Sequence, residues 1–278
     1  MKQNKFLVEY CYSQLGRPYW YGTFGQIGTE KLYKEKKNQY KTQYPPNKWT
    51  EQSFREQFGK RVHDCVGLIK GAMWSDQFNS VPKYDPKTDV SANDMIELCT
   101  ECGPIKTIPE MPGLIVWKEG HVGVYIGGGV CIEAKGHSFG VVQSQIKDRG
   151  FEKWGYCPFF TYETIADFVT RLYREILERE PEREGLDFWR GQLINDIMTP
   201  SQVILEFLTG PEFVNRQHND SEFLTILYAV FFNRAPDKDG FKFWLDYIPK
   251  NGRAMTVIEF EKSEEWKRDE AVLNKTKI

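Results

Sequence analysis

The strongest constraint on the fold is an internal repeat in the second half of the sequence. Residues 168–189 return as residues 223–244, 55 positions later, with the same Phe-x-Thr-x-Leu-Tyr stretch, Arg-x-Pro turn, glycine and Phe-Trp pair. Apolar residues there recur every three or four positions, which is the spacing of an amphipathic helix. The pattern predicts an all-α domain over residues 161–278, built from two repeats of about 55 residues.

The sequence before residue 160 follows a different pattern. Residues 114–134 alternate apolar and polar side chains between glycines, as is typical of half-buried antiparallel strands. Helical spacing also occurs in this half, for example after Cys65. We therefore expect an α+β domain with a central antiparallel sheet over residues 1–160, followed by the helical domain.

Charge and hydropathy narrow the possible partners. The 278 residues include 37 Lys and Arg against 39 Asp and Glu, so no overall positive field favours nucleic acid. No apolar run reaches the ~18 residues of a membrane span, and no signal peptide is recognisable. We expect synthesis in the cytoplasm, no nucleic-acid partner, no membrane span and free thiols at the six cysteines.

Cys65 is the candidate nucleophile. It follows Asp64 at the start of an amphipathic stretch, where unpaired backbone N–H groups and the helix dipole favour a thiolate. A lowered thiol pKa is therefore expected. The alternative is a buried and inert cysteine, which is the commoner state of this residue.

A glycine-linked hairpin supplies the candidate base. If Gly127 to Gly129 form the loop, Ile126 faces Val130 and Tyr125 pairs with Cys131. His121 and Glu133 then lie on the polar face of the sheet, close enough for a hydrogen bond that fixes the imidazole. A shift of one residue would place Glu133 on the opposite face.

Four stretches in this order resemble the motifs of the NlpC family of papain-like cysteine peptidases, which cleave cell-wall stem peptides. They are Gln14-Leu-Gly-Arg-Pro-Tyr-Trp-Tyr-Gly, Asp64-Cys-Val-Gly-Leu-Ile, Gly120-His-Val-Gly-Val-Tyr-Ile-Gly and Val130-Cys-Ile-Glu-Ala. The resemblance spans residues 8–160. It implies a papain-like fold, Cys65 as nucleophile, His121 as general base and then acid, Glu133 as the residue that orients the histidine, and no metal or cofactor. Tyr19 is implied to contact substrate, and Asp64 either caps the helix or borders the substrate.

The implied reaction is hydrolysis of an amide bond in peptidoglycan stem peptides, with the bond between D-glutamate and the diamino acid favoured. The protein would act on the bacterial wall after release, for instance as a phage or prophage lysin. A thiol N-acetylmuramoyl amidase or a transferase on the same fold remains an alternative, as does a non-catalytic wall-binding or assembly protein.

Three departures from the family pattern bear on these alternatives. Glu133 stands where the family usually has a histidine; it keeps the acceptor role and adds a negative charge. Val66 stands where a serine usually follows the nucleophile. An insert of about forty residues, 23–62, separates the tyrosine motif from Asp64 and includes Tyr44-Pro-Pro-Asn. This insert either forms a wall of the substrate groove or is a solvated surface excursion.

Other residues compete for the same roles. His63 is too close to Cys65 along the chain to be the favoured base. His137 would replace Glu133 if the second strand continued, but Gly136 argues that the strand has ended. Cys99 and Cys102 have zinc-knuckle spacing without a second pair, so they are expected to be structural or at most oxidisable. Cys131 lacks the helix end that activates Cys65.

The helical half resembles a bacterial repeat family of unknown function that is often appended to surface or secreted proteins. The resemblance rests on the Arg-x-Pro-x-x-x-Gly core and the Phe-Trp pair of each repeat, over residues 162–268. It implies no catalytic residue. The expected partner of this half is the cell wall or another protein.

Overall fold

The computed structural model describes residues 1–44 and 50–273. The chain divides into two compact units, Met1–Tyr162 and Glu163–Ile278. Residues 45–49, which include the Pro-Pro-Asn part of the insert, lie outside the described residues.

The first unit mixes helices with strands. The strands are β1 (Lys2–Gln3), β2 (Phe24–Ile27), β3 (Arg61–His63), β4 (Cys102–Pro104), β5 (Ile115–Lys118), β6 (His121–Gly127), β7 (Val130–Ala134), β8 (Val141–Gln145), β9 (Lys153–Gly155) and β10 (Phe160–Thr161). Six of them form an antiparallel sheet of order β4-β9-β5-β6-β7-β8. The predicted α+β class with a central antiparallel sheet is confirmed for this unit. Two small sheets pair β1 with β10 and β2 with β3.

The helices of the first unit are α1 (Asn4–Ser13), α2 (Glu30–Gln39), α3 (Glu51–Arg55), α4 (Cys65–Trp74) and α5 (Ala92–Glu97). Apolar side chains of α1 and α4 pack against the apolar face of the β6–β7 hairpin in one core, to which Leu7, Leu68, Ile69, Val122 and Ile132 belong. This packing fixes the start of α4 relative to the sheet.

The β6–β7 hairpin has the predicted pairing of Tyr125 with Cys131, but its loop differs from the prediction. Gly127, and not Ile126, lies opposite Val130, because a bulge adds one residue between Tyr125 and Gly127. The loop is therefore the two residues Gly128 and Gly129, with φ of 61° and 74°. Glycine adopts these positive φ values without strain, as a two-residue hairpin turn requires. The bulge does not change the register beyond Tyr125.

The 23–62 insert contains β2, α2, α3 and β3 and has an aromatic core of its own. Trp20, Tyr33, Tyr44 and Phe54 are buried against one another. The Trp20 Nε1–H donates to Gln57 Oε1 at 2.7 Å, and the Tyr44 hydroxyl donates to the Tyr21 carbonyl at 2.6 Å. The insert is thus anchored to the chain that precedes the site.

All secondary-structure elements described in the second unit are helices. Its largest core cluster combines apolar residues from most of these helices. The helices are α6 (Ile165–Leu177), α7 (Arg183–Ile194), α8 (Pro200–Thr209), α9 (Pro211–Val214), α10 (Asp220–Phe232), α11 (Lys238–Lys262, interrupted at Gly252) and α12 (Glu264–Leu273).

Equivalent positions of the two repeats have equivalent structures. Helix α6 ends at Glu178 and α10 ends at Asn233, both in the left-handed region with φ of 51° and 47°. A Cβ atom on Gly185 would overlap the Tyr173 hydroxyl, and one on Gly240 would overlap the Tyr228 hydroxyl. The repeated glycine therefore allows the second helix of each repeat to approach the first. The guanidinium groups stack on the same tyrosines at 4.9 Å for Arg179 and 5.1 Å for Arg234.

Candidate active site

Cys65 is the first residue of α4, and Asp64 is its N-cap. Asp64 Oδ1 accepts from the Gly67 N–H at 2.6 Å, which satisfies a backbone donor of the first turn. Asp64 Oδ2 accepts from the Gly22 N–H at 2.8 Å and so ties the 19–23 segment to the helix. Of the two roles considered for Asp64, the cap is present in the structure.

The thiol of Cys65 lies at the start of β6. Its Sγ is 4.0 Å from the carbonyl oxygen of Gly120, the residue before His121. Burial raises the pKa of the Cys65 thiol to about 12, and the charge of Asp64 adds to this effect. The backbone N–H groups of Val122, Val66 and Cys65 act in the opposite direction but do not outweigh it.

The expectation of a lowered thiol pKa is therefore wrong for the free protein. The main reason is burial of the thiol, which disfavours the charged thiolate. The carboxylate of Asp64 adds to it, because it places a negative charge at the helix start where the dipole would favour the thiolate. At neutral pH the thiol is protonated, so a base must remove its proton before it can attack.

His121 and Glu133 form the predicted hydrogen bond. Nε2 of His121 and Oε2 of Glu133 are 2.6 Å apart, and Glu133 is completely buried. Because an ionised carboxylate can only accept, Nε2 carries the proton and Nδ1 is the ring nitrogen left to receive one. The ring of Phe151 stacks on the imidazole, with centroids 6.0 Å apart and planes at 19°. These contacts fix the tautomer and the orientation of the ring.

Arg149 holds the Glu133 carboxylate from the other side. Its Nε donates to Oε1 at 2.5 Å and its Nη2 to Oε2 at 2.8 Å, a bidentate pair. Burial alone would raise the pKa of Glu133, but the hydrogen bonds from His121 and Arg149 outweigh it and hold the pKa at about 2. Glu133 is therefore ionised. Arg149 was missed in the sequence because it follows β8 in a Lys-Asp-Arg stretch without a distinguishing pattern.

Asn93 shapes the turn that presents His121. Its side-chain oxygen accepts from the Gly120 N–H at 2.8 Å and from Trp117 Nε1 at 3.1 Å. Its amide nitrogen donates to Glu119 at 2.7 Å. One side chain of α5 thus binds both sides of the β5–β6 turn, a role that no sequence pattern indicated.

Cys65 and His121 line the same cavity, which has a volume of about 670 Å³. Tyr19 and Asp64 line it as well, so four of the five candidate site residues meet there, while Glu133 lies behind His121. Burial raises the pKa of Tyr19, with contributions from Asp64 and Cys65. Helix α2 of the insert forms part of the wall, as one of the two alternatives for the insert expected.

His63 and His137 lie elsewhere. His63 is fully buried, its Nε2 is 3.0 Å from the Tyr10 hydroxyl, and burial lowers its pKa to about 3. Strand β7 ends at Ala134, before His137. The His137 ring instead packs against Tyr19 at 4.9 Å. Neither histidine replaces His121 or Glu133 in this geometry.

The remaining candidate thiols do not form a metal site. Cys99, Cys102 and Cys131 are free cysteines, and Cys131 is fully buried in the sheet. The Cys99 thiol donates to the Met95 carbonyl at 3.3 Å. Within residues 1–44 and 50–273, no group of three or more His, Cys, Asp or Glu side chains is arranged to hold a metal ion. None of the helices in this described part is long and apolar enough to cross a bilayer.

Residues 161–217 and 206–269 each match a family described as "Domain of unknown function (DUF4214)". Among solved structures, the chain is similar to the P60 domain of antigen MAP1204 from M. avium subspecies paratuberculosis and to the peptidoglycan hydrolase RipB from Mycobacterium tuberculosis. Both are 21% identical to this chain, with a TM-score of 0.34 over 57% of it. The matches cover 96% of the P60 domain chain and 65% of the RipB chain. No curated protein matches the chain.

Proposed function

We propose that the first unit is a cysteine peptidase that hydrolyses amide bonds in peptidoglycan stem peptides. The observation that carries the proposal is the meeting of a helix-start thiol and a carboxylate-held imidazole at one cavity. The four ordered motifs support the choice of substrate. A stem peptide is extended and narrow, and a cavity of about 670 Å³ can receive several of its residues.

The reaction begins with the protonated thiol. His121 Nδ1 accepts the Cys65 proton while Sγ attacks the amide carbonyl, and ionised Glu133 stabilises the imidazolium that forms. The Cys65 N–H is the proposed donor to the oxyanion. The imidazolium then protonates the departing amine, which leaves an acyl thioester on Cys65. Water, deprotonated by His121, hydrolyses the thioester and restores the thiol.

Tyr19 and Asp64 are the proposed substrate contacts beside the thiol. Both line the cavity, and Asp64 also fixes the 19–23 segment through Gly22. We assign the cleaved bond to the D-glutamyl–diamino acid linkage, in keeping with the motifs. Action on the wall follows release of the protein from the cell that makes it, as for a phage or prophage lysin.

The test is clearing of purified cell walls, with product masses determined by mass spectrometry. The parent protein is expected to clear the suspension and release peptides that end at D-glutamate, whereas Cys65→Ala and His121→Ala leave the walls intact. Products cut between muramic acid and L-alanine would instead identify an amidase, and products joined to an added amine would identify a transferase. Equal clearing by parent and variants would contradict the mechanism, and no clearing by any would favour a non-catalytic wall-binding protein.

For the second unit we propose binding to wall glycan. Phe188 and Phe243 occupy equivalent repeat positions and are 55% and 59% exposed. Each contacts the adjacent tryptophan edge-to-face, with centroids 5.0 Å apart. Exposed aromatic faces at repeated positions suit the apolar faces of sugar rings.

The test is a sedimentation assay of the full chain with purified walls. The double variant Phe188→Ser/Phe243→Ser is expected to bind at least tenfold more weakly, while Ile197→Ser, a 63% exposed apolar position in the same unit, is the control. Unchanged binding by the double variant would contradict the assignment. If the double variant bound walls as the parent does but lost binding to a second protein, the partner of this unit would be a protein instead.

A further inference from the structure

Helix α2 of the insert presents one face to the cavity that contains Cys65. The lining residues of α2 and its C-cap are spaced three or four positions apart, as residues on one face of a helix are. They are Leu32, Glu35, Lys36, Gln39 and Tyr40. The adjacent side of the helix contributes Tyr33 to the aromatic core around Trp20, so the wall is fixed in place.

Several charged side chains that line the cavity already have partners. Lys70 donates to Asp89 Oδ1 at 2.6 Å, and the Tyr84 hydroxyl donates to Asp89 Oδ2 at 2.9 Å. Both oxygens of Asp64 accept backbone N–H groups. Lys135 lies 4.7 Å from the centre of the Phe139 ring. Asp64 and Asp89 therefore both accept hydrogen bonds, and the third acid of the lining, Glu35, lies 4.0 Å from the Lys31 Nζ.

Lys36 differs from Lys70, which is paired with a carboxylate. Among the described residues it has no carboxylate within 4.0 Å, and its Nζ makes a single weak hydrogen bond, to Gln39 Oε1 at 3.3 Å. Its ammonium lies 5.6 Å from the Tyr40 ring. Burial lowers the pKa of Lys36, while the charges of Asp64, Asp89 and Glu35 act in the opposite direction. A half-buried ammonium with two unused donors can bind an anionic ligand group.

We propose that Lys36 is a specificity residue that binds a carboxylate of the peptide substrate, so that the insert selects acidic peptides. This rests on the proposed peptidase function of the same cavity. A charge-assisted hydrogen bond from Lys36 would distinguish a carboxylate from the corresponding amide, which has the same shape and no charge. Lys36 belongs to α2 and Cys65 to α4, so the proposed subsite and the thiol reach the same cavity from different elements.

The test measures binding separately from catalysis. The full chain with Cys65→Ala is titrated calorimetrically with L-Ala-γ-D-Glu-L-Lys-D-Ala and with the same peptide amidated at both carboxylates. We expect the acidic peptide to bind at least tenfold more tightly, and Lys36→Met to remove this preference. Lys36→Arg is expected to retain it. Lys31→Met is the matched control on the same helix, because the Lys31 side chain is 87% exposed and outside the cavity lining.

A carboxylate preference that persists in Lys36→Met, or is lost equally in Lys31→Met, would overturn the assignment. Failure of the acidic peptide to bind would overturn it as well. The proposed peptidase function is tested separately, with the chain that retains Cys65. Preference that depends on Lys36, but without cleavage of the peptide, would refute the peptidase and leave the carboxylate subsite standing.

Discussion

Replacement of Glu133 by glutamine tests the buried ion cluster behind His121. The carboxylate is completely buried and accepts from His121 at 2.6 Å and from Arg149 at 2.5 and 2.8 Å. Glutamine has nearly the same shape but no charge, so Arg149 loses its anionic partner. The pKa of Glu133, about 2 against a usual 4.5, corresponds to about 3 kcal/mol of folding free energy. We expect Glu133→Gln to lower the free energy of unfolding at pH 7 by about this amount.

The pH dependence of this loss follows from the sign of the shift. A depressed folded-state pKa stabilises the protein fully above the unfolded value of 4.5, and the contribution is lost as pH falls toward 2. The difference between parent and Glu133→Gln should therefore be constant from pH 8 to 6. It should be smaller by about 1 kcal/mol at pH 3.5.

The assay is urea unfolding of parent and variant, followed by tryptophan fluorescence at pH 7, 5 and 3.5. Lys36→Met serves as a control that leaves the cluster intact. A difference between parent and Glu133→Gln that stays the same at all three pH values would show that Glu133 titrates alike in the folded and unfolded states. That result would refute the argument that the cluster holds an ionised carboxylate.

Three further predictions concern the thiol, the turn and the repeats. Alkylation of Cys65 by iodoacetamide should accelerate about tenfold per pH unit between pH 7 and 10, because the pKa of its thiol is about 12. The alkylation rate is measured by peptide mass spectrometry with the exposed Cys102 as internal reference, and a rate that does not change above pH 7 would contradict the prediction. Asn93→Ala should lower kcat/KM for a stem peptide about tenfold, because the β5–β6 turn loses its hydrogen bonds to this side chain. Unchanged kinetics would show that the turn keeps its conformation without Asn93. Gly185→Ala should destabilise the helical unit by about 2 kcal/mol, because its Cβ overlaps the Tyr173 hydroxyl, and an unchanged thermal unfolding curve would refute this.

The alternation of apolar and polar residues was sufficient to predict the strand pairing that brings Glu133 to His121, the candidate base. The period of two along the strands places His121 and Glu133 on the same face once Tyr125 pairs with Cys131. The structure has both the Tyr125–Cys131 pairing and the His121–Glu133 hydrogen bond. The loop was not predictable in the same way. Three consecutive glycines permit several turns, and the bulge before Gly127 depends on the twist of the whole hairpin.

Contacts between distant segments limited the rest of the prediction. Arg149 reaches Glu133 from the chain after β8, and Asn93 reaches the β5–β6 turn from α5. The raised pKa of Cys65 depends on burial, which no local pattern reveals. The Asp64 cap could be predicted from its position before the helix, but the prediction for the thiol considered only the helix dipole and not the charge of Asp64.

The central claim is that Cys65 attacks the substrate with help from His121. It is tested most directly by rapid mixing with L-Ala-γ-D-Glu-L-Lys-D-Ala, acid quenching and intact-protein mass spectrometry. We predict a covalent adduct with the mass of the L-Ala-γ-D-Glu acyl group, mapped to Cys65 in the parent, strongly reduced in His121→Ala and absent in Cys65→Ala. Cleavage of the peptide at the parent rate by Cys65→Ala, or an adduct on another residue, would contradict the account.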